Sequence, residues 1–159
     1  MPTYNQYELS AVCSRLSSGK GIPASQITQE GKVPVYGGNG LRGYTDRANF
    51  SGECAIVGRQ GAFCGNVRFF SGDAYMTEHA VVVCANREHN TRYLAYLLSM
   101  MNLGRLSGQS AQPGLSVKTL AKQTIELPPL AVQNAVVSIL AMLEEKIAVN
   151  QKLNDNLAA

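Results

Sequence analysis

The chain has 159 residues, of which 45% are hydrophobic and 16% charged, which is enough apolar material for the core of one ordered domain. This composition excludes a disordered chain, and no apolar run reaches the length of a membrane span. The polar N-terminus has no signal-peptide pattern, and we expect a cytoplasmic protein. The net charge of +3 is uneven: residues 1–125 carry twelve Lys/Arg and seven Asp/Glu, whereas residues 126–159 carry two and four, so a polyanion could bind the first part.

The first predicted element is a short amphipathic helix over residues 7–18. The turn that follows, Gly19-Lys20-Gly21, lacks the G-x-x-x-x-G-K-[ST] spacing of a phosphate-binding loop, so we exclude nucleotide binding there. Lys20 on this turn is a candidate contact for a DNA phosphate. The apolar face of the predicted helix consists of Leu9, Val12, Cys13 and Leu16.

Residues 33–36 predict a short strand, and the loop after it has four glycines within residues 37–43. Such a loop can bring its backbone close to another surface. The polar, cationic and aromatic side chains around it suit recognition of a DNA groove by hydrogen bonding and stacking. The alternative is a tight hairpin whose tyrosines belong to the core. The side chains concerned are Tyr36, Asn39, Arg42 and Tyr44.

Glu78 and His79 could be interpreted as a general-base pair, but no nucleophile or metal partner accompanies them, so we expect a hydrogen-bonded structural pair. A second glycine loop covers residues 60–65. Buried strands are predicted at residues 53–59, 66–70 and 79–84, a helix with a Thr91 cap at 91–103, a third glycine loop at 107–115, a helical turn at 116–120 and a last strand at 123–127. The core positions of the 91–103 helix are Leu94, Leu97, Leu98 and Met101.

The longest predicted element is a helix over residues 129–157, which opens with two prolines and then contains neither Gly nor Pro. Apolar residues and two asparagines recur at alternating spacings of four and three, which is the pattern of a two-helix seam. We expect the first half to pack on the domain as well, and the far half to pair with a second helix. The seam consists of Val136, Leu140, Leu143, Ile147, Asn150, Leu153, Asn154 and Leu157.

The four cysteines form no C-x-x-C pair and lie at no metal-ligand spacing to either histidine. We therefore expect reduced, mostly buried thiols, with a zinc site as the weaker alternative. No metal and no cofactor are predicted. The cysteines are Cys13, Cys54, Cys64 and Cys84.

Five signatures in order along the chain resemble the specificity subunit of type I restriction-modification systems. The spacing pattern around Lys146-Ile147, Asn150 and Leu153-Asn154 also looks like the conserved spacer helix of that family. The five signatures are Gly19-Lys20-Gly21-Ile22, Val33 to Gly40, Ile56-Val57-Gly58-Arg59-Gln60-Gly61, Ala111-Gln112-Pro113-Gly114-Leu115, and Leu127-Pro128-Pro129-Leu130 with Gln133.

The resemblance implies a target recognition domain over residues 1–126 and a conserved spacer and dimerisation helix over 127–159. A full specificity subunit has two of each, so we expect a natural half-subunit or a cut fragment, pairing as an antiparallel homodimer. The implied partners are double-stranded DNA, modification (methyltransferase) subunits and a restriction/translocase subunit. The implied fold is α+β: a curved, mostly antiparallel sheet with short flanking helices and a long C-terminal coiled-coil helix. The expected DNA contacts are Lys20, Asn39, Arg42, Tyr44, Arg59, Gln60, Gln109, Ser110 and Gln112. Each has a structural loop residue as its alternative, above all Arg59, which follows a buried strand.

The resemblance implies a subunit that binds DNA without catalysis, and the residues agree with it. No amino-methyltransferase motif of the Asn-Pro-Pro-Tyr or Asp-Pro-Pro-Tyr type occurs, no strand–loop–helix pattern suits S-adenosylmethionine, and no acid pair with a following Lys suggests a nuclease. Two alternatives stay open from sequence: the recognition segment of a fused methyltransferase-endonuclease, and a protein-interaction module that does not bind DNA.

Overall fold

A computed structural model describes residues 3–107 and 114–157. Its architecture confirms the predicted α+β class. The strands are β1 (Asn5–Glu8), β2 (Cys13–Ser18), β3 (Val33–Gly37), β4 (Gly40–Thr45), β5 (Phe50–Gly58), β6 (Val67–Met76), β7 (Ala80–Ala85) and β8 (Thr124–Leu127). The helices are α1 (Thr91–Met100), α2 (Val117–Ala121) and α3 (Leu130–Leu157), and short 3-10 turns cover Leu9–Val12, Ala24–Gln26, Gly61–Phe63 and Leu103–Leu106.

The main sheet has the strand order β2-β7-β5-β6-β3-β4, and only its β3–β6 pairing is parallel. A separate antiparallel pair joins β1 to β8. Alternate residues of β5 point to opposite faces: Val57 packs with α1 on one face, whereas Ile56 belongs to a second cluster that includes Tyr36 of β3. The α1 helix therefore packs on one face of the central strands, and the hairpin contributes Tyr36 to the cluster on the other face.

The prediction of a helix over residues 7–18 is wrong, because this segment runs as β1, a 3-10 turn and β2. Its apolar positions do face the core, with Leu9 and Val12 fully buried. The backbone, however, pairs with β8 on one side of the turn and with β7 on the other. A spacing of three and four fits both a helical face and a turn between two strands, and these tertiary pairings decide between them.

The helix predicted over residues 91–103 is α1, which ends at Met100 because Asn102 takes the left-handed conformation with φ +49°. Its cap is not Thr91 but Asn90, whose side chain accepts a hydrogen bond from the Tyr93 N–H. The Thr91 hydroxyl instead accepts the N–H of Ala85 at the end of β7. The cap residue therefore lies one position earlier than predicted.

The long helix α3 packs on the body at its start and projects from it at its end. Gln133 is fully buried, and every residue from Met142 to Leu157 is exposed. A length of 28 residues corresponds to about 42 Å at ~1.5 Å per residue. Among the described residues, no helix combines the length and apolar character that crossing a bilayer requires.

Candidate functional site

An open cleft of about 500 Å³ lies where the β3–β4 hairpin meets the end of β5 and the turn before β7. Backbone atoms of glycines form much of its wall, and polar side chains stand at its edge. We call it the glycine cleft; its lining consists of Gly37, Gly38, Asn39, Gly40, Leu41, Arg42, Gln60, Gly61 and His79.

The hairpin reaches the sheet so closely that glycine is required at its tip. A Cβ on Gly38 would lie 2.7 Å from the carbonyl oxygen of His79 and 3.3 Å from the amide nitrogen of Arg59. Gly40 has φ +107°, a conformation that other residues rarely adopt. The glycine-rich sequence therefore exists because two backbones meet here, and this contact forms the cleft.

Three cationic side chains stand in or beside the glycine cleft. Arg42 is exposed, and its Cδ lies against Gly37, since a Cβ on that glycine would come within 2.8 Å of it. Arg59 is half-buried and donates from Nη1 to the Ser18 hydroxyl at 3.2 Å. Neither arginine, nor the exposed Lys20, forms an ion pair with a carboxylate in the described part of the chain. Their charge is therefore available to a polyanion.

Lys20 is held at the same end of the sheet by its backbone. Its N–H donates to the Met76 carbonyl at 2.9 Å, and the Gly19 N–H donates to Ala80 at 3.0 Å. A Cβ on Gly19 would lie only 2.0 Å from the Met76 oxygen, so this turn also needs glycine for close approach. The turn thus places the backbone of the exposed Lys20 beside the end of β6 and the start of β7, and His79 lies in the connection between these two strands.

Of the nine predicted DNA contacts, the structure brings Asn39, Arg42 and Gln60 together in the cleft lining and places Arg59 and Lys20 beside it. Tyr44 is elsewhere: it lies at the far end of β4, half-buried and hydrogen-bonded through its backbone to Thr28. The remaining three, Gln109, Ser110 and Gln112, lie outside the described residues.

The chain resumes at the edge of the cleft after that undescribed segment. Gly114 forms an antiparallel bridge with Gln60, and the Leu115 N–H donates to the Arg59 carbonyl at 2.8 Å. The C-terminal end of the predicted third glycine loop (107–115) is therefore hydrogen-bonded beside the start of the second glycine loop (60–65).

Sequence reasoning missed three residues at this site: Leu41, Arg68 and His79. His79 does pair with Glu78 as expected, at 3.3 Å between Nε2 and Oε1, but both side chains are more than 40% exposed, at 42% and 44%, and His79 lines the cleft. Leu41 is 52% exposed, and an apolar side chain inside a glycine loop is a signal that could have found it. Arg68 lies across Gly40, a proximity that only the folded hairpin creates.

The cleft offers hydrogen-bond donors, acceptors and positive charge, and its neighbourhood offers little for covalent chemistry. Cys64, the thiol nearest in sequence to the cleft, donates to the Arg59 carbonyl, and burial raises its pKa. Such a thiol is a weak nucleophile at neutral pH. Within residues 3–107 and 114–157, no group of three or more His, Cys, Asp or Glu side chains could hold a metal ion.

The outer part of α3 presents a wide apolar face to solvent. Of the predicted seam, Val136 and Leu140 are half-buried against the body, and the other six members are exposed. Additional apolar side chains that the seam did not include widen this face. They are Ile139, Met142 and Val149, which are 57%, 62% and 50% exposed.

Comparison with known proteins shows what the chain resembles. The family model for the type I restriction modification DNA specificity domain matches residues 1–159. The specificity subunit of the type I restriction enzyme EcoprrI from Escherichia coli is 38% identical over 130 residues, which are 79% of this chain and 32% of that protein. A Mycoplasma pneumoniae protein named as a type I specificity subunit is 28% identical over 145 residues, or 87% of this chain and 39% of its own length. The chain thus spans about a third of the length of these two relatives.

Two solved structures share the fold. The S subunit of a type I restriction-modification system from M. genitalium superposes with a TM-score of 0.81 at 20% identity, covering 98% of this chain and 44% of that one. The HsdS subunit from Thermoanaerobacter tengcongensis gives a TM-score of 0.67 at 17% identity, covering 93% and 39%.

Proposed function

Because this chain belongs to the family of type I restriction modification DNA specificity domains, we propose that it recognises one half of a bipartite DNA site within a type I restriction-modification complex. Residues 1–126 form the target recognition domain. Residues 127–159 form the spacer and dimerisation helix. The chain contributes recognition, while methyl transfer belongs to modification subunits that dock on it and cleavage to a restriction/translocase subunit.

The observation that carries this proposal is the glycine cleft with its surrounding cations. Arg42, Arg59 and Lys20 are without carboxylate partners in the described part of the chain, and they stand beside the amide side chains of Asn39 and Gln60. Amides and guanidinium groups are the side chains that bind base edges, and cations bind phosphates. One surface therefore combines the two kinds of contact that sequence-specific DNA binding needs.

A pair of titrations tests the DNA-binding part of this proposal. Affinity for duplex DNA should fall steeply with salt, because each neutralised phosphate contributes about −0.9 to the slope of log K against log salt. Arg42→Ala should weaken binding by roughly 1–3 kcal/mol if it contacts a base edge. Arg87→Ala is the matched control: it removes the same exposed charge beyond the opposite end of β7 and should leave binding nearly unchanged. A flat salt dependence, or equal losses in both variants, would contradict the assignment.

The exposed face of α3 supports the second part, pairing of two copies through this helix. Leu143, Ile147 and Leu153 are all more than half exposed, at 52%, 56% and 54%. An apolar stripe of this length is unstable in water, and two-fold pairing covers it with a single self-complementary surface. Antiparallel pairing places the two recognition domains at opposite ends, each on one half of a split, palindromic target.

Sedimentation of the purified chain at micromolar concentration tests the pairing. We expect a dimer, and Ile147→Lys should convert it to monomer by placing a charge in the seam. Gln151→Lys introduces the same charge outside the seam and should leave the dimer intact. A wild-type monomer under these conditions would rule out pairing through α3 alone.

A further inference from the structure

Arg68 occupies an unusual position on β6, beneath the tip of the β3–β4 hairpin. It pairs in register with Ile56 of β5 and is exposed. A Cβ built on Gly40 would lie 2.7 Å from its Nη1, 3.1 Å from Cζ and 3.4 Å from Nη2. Three guanidinium atoms at similar distances mean that the flat group lies across the Gly40 backbone. The hairpin backbone at Gly40 therefore lies against one side of the guanidinium.

The guanidinium of Arg68 has no ion pair and no hydrogen-bond acceptor among residues 3–107 and 114–157. Arg92 on the other face of the sheet shows the contrasting, structural case. It pairs with Glu144 at 2.6 Å, donates to the Tyr96 hydroxyl at 2.9 Å and stacks on the Phe69 ring at 4.9 Å. Arg92 uses its donors to hold the fold, whereas the donors of Arg68 are open to a ligand.

The surroundings of Arg68 are those of a base-recognition surface. On one side, Gly40 belongs to the glycine cleft with its amide side chains. On the other, Arg68 itself lines a second, polar cleft of about 450 Å³ together with Asn66, Ser99 and Asn102. The arginine thus stands between the glycine cleft, whose amide side chains are accompanied by Arg42 and His79, and a second group of neutral hydrogen-bonding side chains. A guanidinium can form two parallel hydrogen bonds either to a phosphate or to the edge of a guanine. The amide side chains on both sides of Arg68 are of the kind that bind base edges, which favours the guanine.

We propose that Arg68 recognises a guanine of the target through its O6 and N7 atoms, and that Gly40 is glycine so that the guanidinium can hold this orientation. The inference rests on the proposed DNA-recognition function and adds a residue to it. Bidentate arginine–guanine pairing is the commonest specific contact in the major groove, and lysine cannot reproduce its geometry.

The test uses the full chain with its modification subunit, on a cognate duplex and on a random duplex. Arg68→Lys keeps the charge, so the salt slope and random-duplex affinity should stay the same, while cognate affinity falls roughly 5- to 150-fold. Replacing the recognised guanine by 7-deazaguanine removes N7. This replacement should weaken DNA binding by the wild type, whereas the already weakened binding by Arg68→Lys should not change. If Arg68→Ala loses the same affinity on both duplexes and has a shallower salt slope, Arg68 contacts a phosphate and the inference is overturned. Unchanged cognate affinity in Arg68→Lys would also overturn it.

A pair of glycine variants separates orientation from backbone strain. Gly40 and Gly52 have similar φ values of +107° and +118°, but a Cβ on Gly52 meets nothing within 4 Å. Gly40→Ala and Gly52→Ala should both lose stability through backbone strain, and only Gly40→Ala should lose cognate affinity. Because Gly40 also lines the glycine cleft, the loss should disappear when Arg68 is already lysine if it acts through Arg68. Equal cognate affinities for the two variants would refute the role of Gly40. Absence of salt-dependent DNA binding by the wild type would instead contradict the proposed function itself.

Discussion

Gln133 is the fully buried polar residue where α3 attaches to the body. Its side chain is fully buried, with Oε1 accepting the Asn90 N–H at 2.9 Å and Nε2 donating to the Pro128 carbonyl at 2.8 Å. Since Nε2 must donate, the contact of 3.1 Å to His89 makes the ring Nδ1 an acceptor. One amide therefore joins the start of α3 to the loop that precedes α1.

Gln133→Leu tests this attachment because leucine fills most of the same volume without hydrogen bonding. The substitution leaves the Pro128 carbonyl and the Asn90 N–H without their partner. An unpaired buried group costs about 1–3 kcal/mol, and the half-buried Asn90 recovers part of its loss through water. We expect the free energy of unfolding to fall by about 2–4 kcal/mol.

The assay is urea unfolding followed by circular dichroism at a fixed protein concentration, because a dimer makes apparent stability depend on concentration. Gln151→Ala, on the exposed part of the same helix, is the control and should change stability by no more than about 0.5 kcal/mol. A Gln133→Leu protein as stable as the control would show that the amide does not hold the helix in place.

Four further outcomes are expected. Gly19→Ala should destabilise by about 1–3 kcal/mol or more, since its Cβ would lie 2.0 Å from a carbonyl oxygen, whereas Gly21→Ala, with its nearest neighbour at 3.9 Å, should be nearly neutral in the same unfolding assay. Burial raises the pKa of the Cys54 thiol to about 12, so mass spectrometry after alkylation near neutral pH should find it unlabelled until the protein unfolds. Burial lowers the pKa of His89, so the unfolded state binds a proton on this histidine more tightly than the folded state does. The free energy of unfolding should therefore fall as the pH drops below the ordinary value of 6.5. His89→Gln should remove this contribution to the pH dependence of stability. Asn150→Leu should keep or raise dimer stability in sedimentation while loosening partner choice.

Patterns that depend on local chemistry were sufficient to predict much of the fold. The long helix follows from the absence of Gly and Pro after Pro129, and the strand at 79–84 from its run of valines. The prediction of a helix over residues 7–18 was wrong because the apolar spacing of this segment fits a helix as well as two strands joined by a turn. Its partner β8 lies more than a hundred residues away, and local propensity carries no information about that pairing.

The candidate site likewise contains some residues that the sequence could predict and others that it could not. Asn39, Arg42 and Gln60 could be found because each stands in a glycine-rich loop, which is a local signal of close backbone approach. Tyr44 lies away from the cleft because the hairpin extends along β4, and its predicted contact with DNA stays a prediction. Arg68 could not be found at all, since its contact with Gly40 depends on how the hairpin folds over β6.

The proposal that this chain selects a split DNA target can be tested in a cell that carries the chain with its modification subunit, by sequencing the methylated sites. If two copies pair through α3 as proposed, their recognition domains lie at opposite ends of the helix pair, which requires a bipartite motif with inverted, identical halves and a fixed gap. Arg42→Ala should abolish or relax methylation of that motif, and Arg87→Ala should leave it unchanged. A continuous motif, two unrelated halves, or a motif unaffected by Arg42→Ala would contradict the account.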